Sequence, residues 1–309
     1  MQLDYPQIAN IVEVGPRDGL QNEKQALLVQ DKVNLINALS ETGLQHIEAG
    51  SFVSPKWVPQ MANSNEVMSQ IQRKDGIVYS ALTPNIKGYD AAKEAKADSV
   101  AIFASASTSF SLKNINCDIA TSIERFTVLV EQAKIDNIPV RGYVSCVLGC
   151  PYEGDVSPQS VLDVTKALLD LGCYEVSLGD TIGVGTPLKT KRMLDLLLSQ
   201  IPVNKLALHC HDTYGQALSN VLIGLQQGIN TFDASVAGLG GCPYAQGASG
   251  NLATEDLVYM LNEMQIETGI DLSRLVYVGD SISHTLQRAN QSKSGAAILA
   301  AISAKAGKG

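Results

Sequence analysis

The stretch Lys205-Leu206-Ala207-Leu208-His209-Cys210-His211-Asp212 has the pattern of a buried β-strand that ends in two histidines and a carboxylate. Side chains alternate between the two faces of a strand, so His209 and His211 point to the same side. Two of the four histidines of the chain are therefore brought together at one strand end. Each can be an ordinary buried histidine, but the paired spacing favours a metal site or an acid–base site.

The same order, a short apolar strand followed by an amphipathic helix, occurs eight times along the 309 residues. Helical patterns cover 27–39, 119–135, 161–171, 188–198 and 257–264, and glycines follow some of them. Eight strict alternations predict an α/β protein in which a parallel sheet closes into a (β/α)8 TIM barrel. The strands are predicted at 11–14, 46–49, 77–82, 99–104, 140–146, 175–178, 206–211 and 231–236.

An open doubly wound sheet is the competing architecture, and its usual sign is a glycine-rich dinucleotide loop after the first strand. Here the first strand leads into Gly15-Pro16-Arg17-Asp18-Gly19, and Gly183-Val184-Gly185 lacks a third glycine, so neither matches that loop. Because no linker interrupts the chain, residues 1–309 are predicted to form one catalytic domain. Residues 271–309 are predicted to add a C-terminal helical extension and a flexible tail.

The composition is 45% hydrophobic and the formal net charge is −8. These values are typical of a soluble enzyme with a large core, and they exclude the basic surface that binds nucleic acid or anionic membranes. The six cysteines form no CxxC pair, and no signal pattern opens the chain. No apolar run approaches the roughly 20 residues that span a bilayer. We therefore predict a cytoplasmic protein.

Polar residues follow the predicted strands at the edge of a barrel where catalytic groups gather. Alone, Asp18 suits a turn, Asp180 a helix cap and Glu48 a buried ion pair. Together, two imidazoles, a carboxylate and an amide are a mixed ligand set that suits Mg2+ or Mn2+ better than a structural zinc site. The predicted strand-end residues are Arg17, Asp18, Glu48, Asp180, His209, His211 and Asn251.

A glycine-rich segment at 235–251 follows the last strand and carries one cysteine, Cys242. Its glycines predict a mobile loop that approaches a ligand closely. An inert connection or a phosphate cradle is the alternative interpretation. A thiol in such a loop is better explained as a general acid or base than as a buried apolar side chain.

Three of these motifs resemble those of the 3-hydroxy-3-methylglutaryl-CoA lyase family. They are Arg17-Asp18-Gly19-Leu20-Gln21-Asn22, His209-Cys210-His211-Asp212-Thr213-Tyr214-Gly215 and Gly240-Gly241-Cys242-Pro243-Tyr244. The first two also occur in related condensing enzymes, whereas the cysteine loop is specific to the lyase branch. The resemblance extends over about residues 8–275 and implies a (β/α)8 barrel that cleaves 3-hydroxy-3-methylglutaryl-CoA into acetyl-CoA and acetoacetate.

The resemblance also assigns roles to residues. It implies a divalent cation, Mg2+ or Mn2+, as cofactor, an acyl-CoA as substrate, and a homodimer that serves leucine breakdown or ketone-body formation. Arg17 and Gln21 would bind substrate, with Arg17 holding the enolate oxygen and Glu48 orienting Arg17. Asp180 or His211 would remove the hydroxyl proton, and Cys242 would protonate the product carbon. The implied metal ligands are Asp18, His209, His211 and Asn251.

Four other functions are weighed against this one. A lyase for a longer branched 3-hydroxyglutaryl-CoA, as in terpenoid catabolism, would use the same residues. A Claisen-type acyl-CoA synthase would use the metal but would not need Cys242. A barrel that only binds partners predicts the loss of a ligand or of Arg17, and all are present. The sequence argues against a Schiff-base aldolase, because that mechanism needs a lysine at a strand end and no predicted strand end carries one.

Overall fold

Eight parallel strands close into a barrel in a computed structural model of the chain, which describes residues 5–240 and 250–306. Each strand pairs with its neighbours in chain order, and the first pairs with the eighth over Asn10–Glu13 and 231–234. This topology confirms the predicted TIM barrel. The strands are β1 (Asn10–Glu13), β2 (His46–Ser51), β3 (Val78–Leu82), β4 (Ser99–Ser105), β5 (Val140–Ser145), β6 (Val176–Asp180), β7 (Leu206–Cys210) and β8 (Thr231–Ala234).

At least one helix follows every strand, and two further helices follow the last repeat. The helices are α1 (Val29–Ser40), α2 (Ser64–Gln70), α3 (Ile86–Glu94), α4 (Thr108–Ile115), α5 (Ile119–Asp136), α6 (Pro158–Leu171), α7 (Pro187–Leu198), α8 (Ala217–Gln226), α9 (Thr254–Glu263), α10 (Leu272–Thr285) and α11 (Lys293–Ala306). Helices α10 and α11 confirm the predicted C-terminal helices. Within the described ranges, no helix has both the length and the apolar character needed to cross a membrane.

The predicted strand limits agree with the observed ones to within two residues at every end. Agreement is close because the alternation of apolar residues stops where each strand stops. The last residues of the predicted flexible tail, 307–309, lie outside the described residues. The single domain over 1–309 stays a prediction.

Capping residues fix where the long strand-to-helix loops end. The side chains of Ser157 and Thr186 accept hydrogen bonds from backbone N–H groups three residues further on, at the starts of α6 and α7. Proline occupies the first position of both helices, where no N–H is needed. Because these starts are fixed, the loops that follow β5 and β6 are held at one end of the barrel.

The main apolar core lies between the sheet and the helices. Along β7, Leu206, Leu208 and Cys210 belong to this outer core, as the alternation of side chains predicts. Ala207 and His209 lie on the other face of the strand, toward the barrel interior. That interior is unusually polar, since it holds the fully buried side chains of Arg141 and Asp233. Layers of branched apolar residues fill most TIM barrels instead.

Gly43, between α1 and β2, lies where the outer layer leaves no room for a side chain. Its φ is +94°, and a Cβ at this position would overlap the backbone carbonyl of Gly269. We expect Gly43→Ala to lower the free energy of unfolding by about 2 to 4 kcal/mol, since left-handed strain and overpacking both act. Urea denaturation followed by circular dichroism measures this loss.

Gly76→Ala is the matched control. Gly76 has a similar φ of +83°, but nothing lies within 4 Å of the added Cβ. Only backbone strain acts there, so we expect a loss of about 1 to 2 kcal/mol. Equal losses in the two variants would show that the contact with Gly269 contributes nothing.

Candidate active site

Asp18, His209 and His211 converge at the C-terminal end of the barrel, and we call them the ligand cluster. Nε2 of His209 and Nε2 of His211 lie 3.9 and 4.0 Å from the same oxygen of Asp18. The imidazole ring centroids are 5.2 Å apart. One ligand atom from each residue lies within 4.8 Å of the others. Residues more than 190 positions apart in sequence thus face one point, as the strand-end pattern predicted.

A five-residue π-helical turn, Gly15–Gly19, holds Asp18 and Arg17 at the end of β1. The sequence predicted a turn here but not its π-helical form. Two glycines allow it: a Cβ on Gly15 would lie 2.5 Å from a carboxylate oxygen of Glu13, and one on Gly19 would lie 2.6 Å from Ser235 Oγ. The turn therefore packs closely against the segment that follows β8.

Arg17 is buried and makes ion pairs with two carboxylates. Its Nε and Nη2 lie 2.8 and 2.7 Å from one oxygen of Glu48, and its Nη1 lies 2.5 Å from Asp18. Burial by itself raises the pKa of Asp18, but the charge of Arg17 and the two histidines outweigh burial and lower it to about 2. Asp18 is therefore ionised at neutral pH. The predicted pairing of Glu48 with Arg17 is present.

Asn251 reaches the same carboxylate from the segment after β8. Its Nδ2 donates to Asp18 Oδ2 at 2.9 Å and to the Leu239 carbonyl at 3.1 Å. Its backbone forms an isolated β-bridge with His211. The structure thus brings Asn251 beside the ligand cluster. Its role as a ligand stays a prediction.

The ligand cluster fits a divalent cation by the chemistry of its donors. Burial, followed by repulsion from His209, lowers the pKa of His211 to about 4, so this imidazole is neutral at neutral pH. The cluster offers an ionised carboxylate and two imidazole rings. Such a mixture of oxygen and nitrogen ligands suits Mg2+, Mn2+ or Zn2+. Glu48 Oε1 is buried and has no hydrogen-bond partner within residues 5–240 and 250–306, so an acceptor remains nearby.

Asp180 ends β6 and is held by its own loop. Its two oxygens accept hydrogen bonds from the N–H groups of Val184 and Gly185, at 3.2 and 2.8 Å. Burial raises the pKa of Asp180 to about 6. The capping interpretation thus describes its contacts, and its role as a base stays a prediction.

Two predicted site residues, Gln21 and Cys242, remain. Gln21 follows the π-helical turn by two residues and is half-buried. Cys242 lies outside the described residues. The roles predicted for both stay predictions.

Sequence reasoning missed three interior residues, which are Arg141, Ser177 and Asp233. Asp233 Oδ2 accepts hydrogen bonds from Ser177 Oγ at 2.7 Å and from His209 Nδ1 at 3.1 Å. Arg141 Nη2 forms an ion pair with the other oxygen of Asp233 at 2.8 Å. Burial alone raises the pKa of Asp233, but Arg141 and His209 outweigh it and hold that pKa well below its usual value. A charged residue inside an apolar strand was the available signal.

Two buried carboxylates accept hydrogen bonds from the backbone that follows the first and last strands. Glu13 accepts hydrogen bonds from the N–H groups of Gly15 and Val236, at 2.8 and 2.9 Å, and from Thr254 Oγ1 at 2.6 Å. Glu255 accepts the N–H of Ala237 with both oxygens. Together they fix the turn that carries Asp18 against the segment that leads to Asn251.

Comparison with known proteins agrees with this geometry. Residues 9–282 match the model of the HMGL-like family. The chain belongs to the HMGL-like family. A match of this length covers the whole barrel, from β1 to the end of α9 and most of α10.

Three relatives are similar to this chain over nearly their whole length. The mitochondrial hydroxymethylglutaryl-CoA lyase of Gallus gallus is 58% identical over 94% of this chain and 97% of its own length. The 3-hydroxy-3-isohexenylglutaryl-CoA/hydroxy-methylglutaryl-CoA lyase of Pseudomonas aeruginosa is 54% identical over 96% and 99%. The structure of an HMG-CoA lyase from Acinetobacter baumannii in complex with coenzyme A and 3-methylmalate superimposes with a TM-score of 0.89, 41% identity, and coverage of 93% and 94%.

The buried carboxylates make stability depend on pH. Burial raises the pKa of Glu255 to about 8 from an ordinary 4.5. Between these values the folded protein keeps a proton that the unfolded chain has lost, so a rise in pH favours unfolding. Glu255→Gln cannot ionise and lacks this penalty. We expect the stability advantage of the natural chain over Glu255→Gln to fall by about 1 to 3 kcal/mol from about pH 5 to about pH 8.

Denaturant titrations at several pH values measure this difference. Glu263→Gln changes an exposed carboxylate at the end of the same helix and serves as the control, for which the difference should stay constant. A constant difference for Glu255→Gln as well would show that Glu255 does not hold a proton in the folded state.

Proposed function

We infer that this protein cleaves 3-hydroxy-3-methylglutaryl-CoA into acetyl-CoA and acetoacetate, as a metal-dependent carbon–carbon lyase. The observation that carries this conclusion is the ligand cluster with Arg17 beside it, at the C-terminal end of a barrel of the HMGL-like family. The lyases named above, at 54 and 58% identity over nearly full length, support the same reaction and an acyl-CoA substrate.

The cofactor is proposed to be Mg2+ or Mn2+, held by the ligand cluster together with Asn251. When bound, such an ion acts as a Lewis acid that lowers the pKa of the tertiary hydroxyl of the substrate. The rest of the reaction depends on residues that hold the substrate, remove a proton, stabilise charge and return a proton.

Asp180 is the stronger of the two candidates for the base that takes the hydroxyl proton. Its pKa of about 6 lies close to neutral pH, where a carboxylate is both ionised and able to accept a proton. His211, the other candidate, is assigned to the ion and has a pKa of about 4, so it is a weak base. Loss of the proton lets the C2–C3 bond break, which releases acetoacetate and leaves an enolate on the thioester.

Arg17 is proposed to hold the enolate oxygen. Its guanidinium carries five N–H donors, and three of its nitrogens contact Glu48 and Asp18. Donors therefore remain for the substrate, and the two carboxylates fix the plane of the group. A guanidinium fixed in this way needs no reorganisation when negative charge develops on the oxygen. Gln21 is proposed to bind substrate beside it.

Cys242 is proposed to return a proton to the enolate carbon, which completes acetyl-CoA. The phosphates of the coenzyme are proposed to meet lysines at the rim of the barrel, with Lys24, Lys56 and Lys113 as candidates. A cytoplasmic homodimer that acts in leucine degradation is likewise proposed from the sequence.

Neither alternative reaction is favoured by a specific observation. The Pseudomonas relative bears a name for a longer isohexenyl substrate as well as for the hydroxymethyl one, whereas the Gallus relative bears only the second. The shorter substrate is common to both names, so it stays the proposal. The named relatives are lyases, which does not favour a Claisen-type synthase.

Chelator-treated protein should produce acetoacetate from 3-hydroxy-3-methylglutaryl-CoA only after Mg2+ or Mn2+ is added. Replacement of the thiol in Cys242→Ser should reduce that rate by about 100-fold or more, because a hydroxyl is a far weaker acid than a thiol. Acetoacetate formation at an unchanged rate in the presence of chelator would contradict the role of the ion. Unchanged cleavage by Cys242→Ser would remove Cys242 from the mechanism.

Arg17→Gln should lower kcat by about 100-fold to 1,000-fold, the usual loss when a charge-stabilising donor is removed. Arg73→Gln is the control, since Arg73 pairs with Asp98 on the surface. Steady-state kinetics with saturating Mn2+ compare the two variants. A change confined to KM for Arg17→Gln would mean that Arg17 binds the ground state and does not stabilise the enolate.

A further inference from the structure

Asp233 is placed to control one of the two histidines of the ligand cluster. It lies in β8 with its side chain fully buried, and its Oδ2 lies 3.1 Å from Nδ1 of His209. An ionised carboxylate can only accept a hydrogen bond, so the proton of a neutral His209 must sit on Nδ1. That leaves the lone pair of Nε2 free, and Nε2 is the atom that faces Asp18.

His211 is held in a different way. Its Nδ1 is buried without a hydrogen-bond partner in the part of the chain that the structure describes. Its backbone pairs with Asn251 instead. The two histidines therefore differ, because among the described residues only His209 has a carboxylate at its Nδ1.

Arg141 holds one of the two carboxylate oxygens of Asp233. Its Nη2 faces Oδ1 of Asp233 at 2.8 Å, while its Nε donates to Glu175 and its Nη1 donates to the Tyr143 hydroxyl. Arg141 carries only donors, and its ion pair with Asp233 places one carboxylate oxygen, Oδ1, against the guanidinium. Only the other oxygen is available to His209 and to Ser177.

We propose that Asp233, held by Arg141, is a positioning residue that fixes the tautomer and orientation of His209 for the divalent ion. The proposal rests on the ion site of the proposed function. A carboxylate behind a ligating histidine commonly changes metal affinity by about 10-fold to 100-fold. An interior carboxylate that merely fills the barrel predicts no such change.

The isosteric change Asp233→Asn separates these possibilities. Its single amide oxygen must face Arg141, so its NH2 group must face His209 Nδ1 and act as a donor. The proton of His209 is then displaced to Nε2, where it blocks the ion. We expect the Kd for Mn2+, measured as free Mn2+ by electron paramagnetic resonance, to rise by about 10-fold to 100-fold.

Ser177→Ala is the matched control. It removes the other hydrogen bond to the same oxygen of Asp233 and leaves His209 and Arg141 in place. We expect its Kd for Mn2+ to stay within about 2-fold of the natural chain, well below the change that a lost orienting carboxylate produces. A folded Asp233→Asn protein, judged by circular dichroism, that binds Mn2+ as the natural chain does would overturn the proposal.

A second measurement needs no variant of Asp233. With nitrogen-15-labelled histidine, the imidazole spectrum of the ion-free natural chain at alkaline pH shows which nitrogen of His209 carries the proton. Neutral imidazole in water prefers Nε2, so a proton on Nδ1 supports the proposal and a proton on Nε2 overturns it. If the natural chain binds no Mn2+, the ion site fails, and this spectrum still decides whether Asp233 sets the tautomer.

Discussion

The structure depends on how charge is buried inside the barrel. Two guanidiniums, those of Arg17 and Arg141, lie there almost without exposure, and each contacts two carboxylates. The Tyr143 ring lies between them, 5.6 and 5.1 Å from the two guanidinium carbons. An unpaired buried charge is very costly, so these pairs must form together. The four carboxylates outnumber the two guanidiniums, which favours a cation at this end of the barrel.

The fold could be predicted from the sequence because it depends on a local periodic signal. In a strand such as β7, apolar side chains alternate between the two faces. The strand ends where that alternation ends. The Gly15–Gly19 turn was harder to predict, since its π-helical form depends on close contact with Ser235, which is remote in the chain. Local signals specify the elements, whereas contacts between distant segments specify their details.

The candidate site divides in the same way. Asp18, His209 and His211 stand out because polar residues at strand ends are conspicuous in sequence, and the structure brings them together. Arg141 and Asp233 were missed because a charged residue within an apolar strand can be explained by an outward-facing position as easily as by an interior one. Only the closed barrel shows that both side chains point to the axis. Candidate ligands at strand ends are thus easier to predict than the interior residues that contact them.

The contacts of Glu13 have a consequence for how the molecule folds. Its hydrogen-bond partners after β8 lie 223 and 241 residues away in sequence. Contacts over such separations form late, because a long stretch of chain must be ordered first. A nascent chain that lacks β7 and everything after it has neither His209 and His211 nor the two partners of Glu13 that follow β8. The ligand cluster and Asn251 therefore come together only when the last strand closes the ring, and uptake of the proposed ion would report that final step of synthesis and folding.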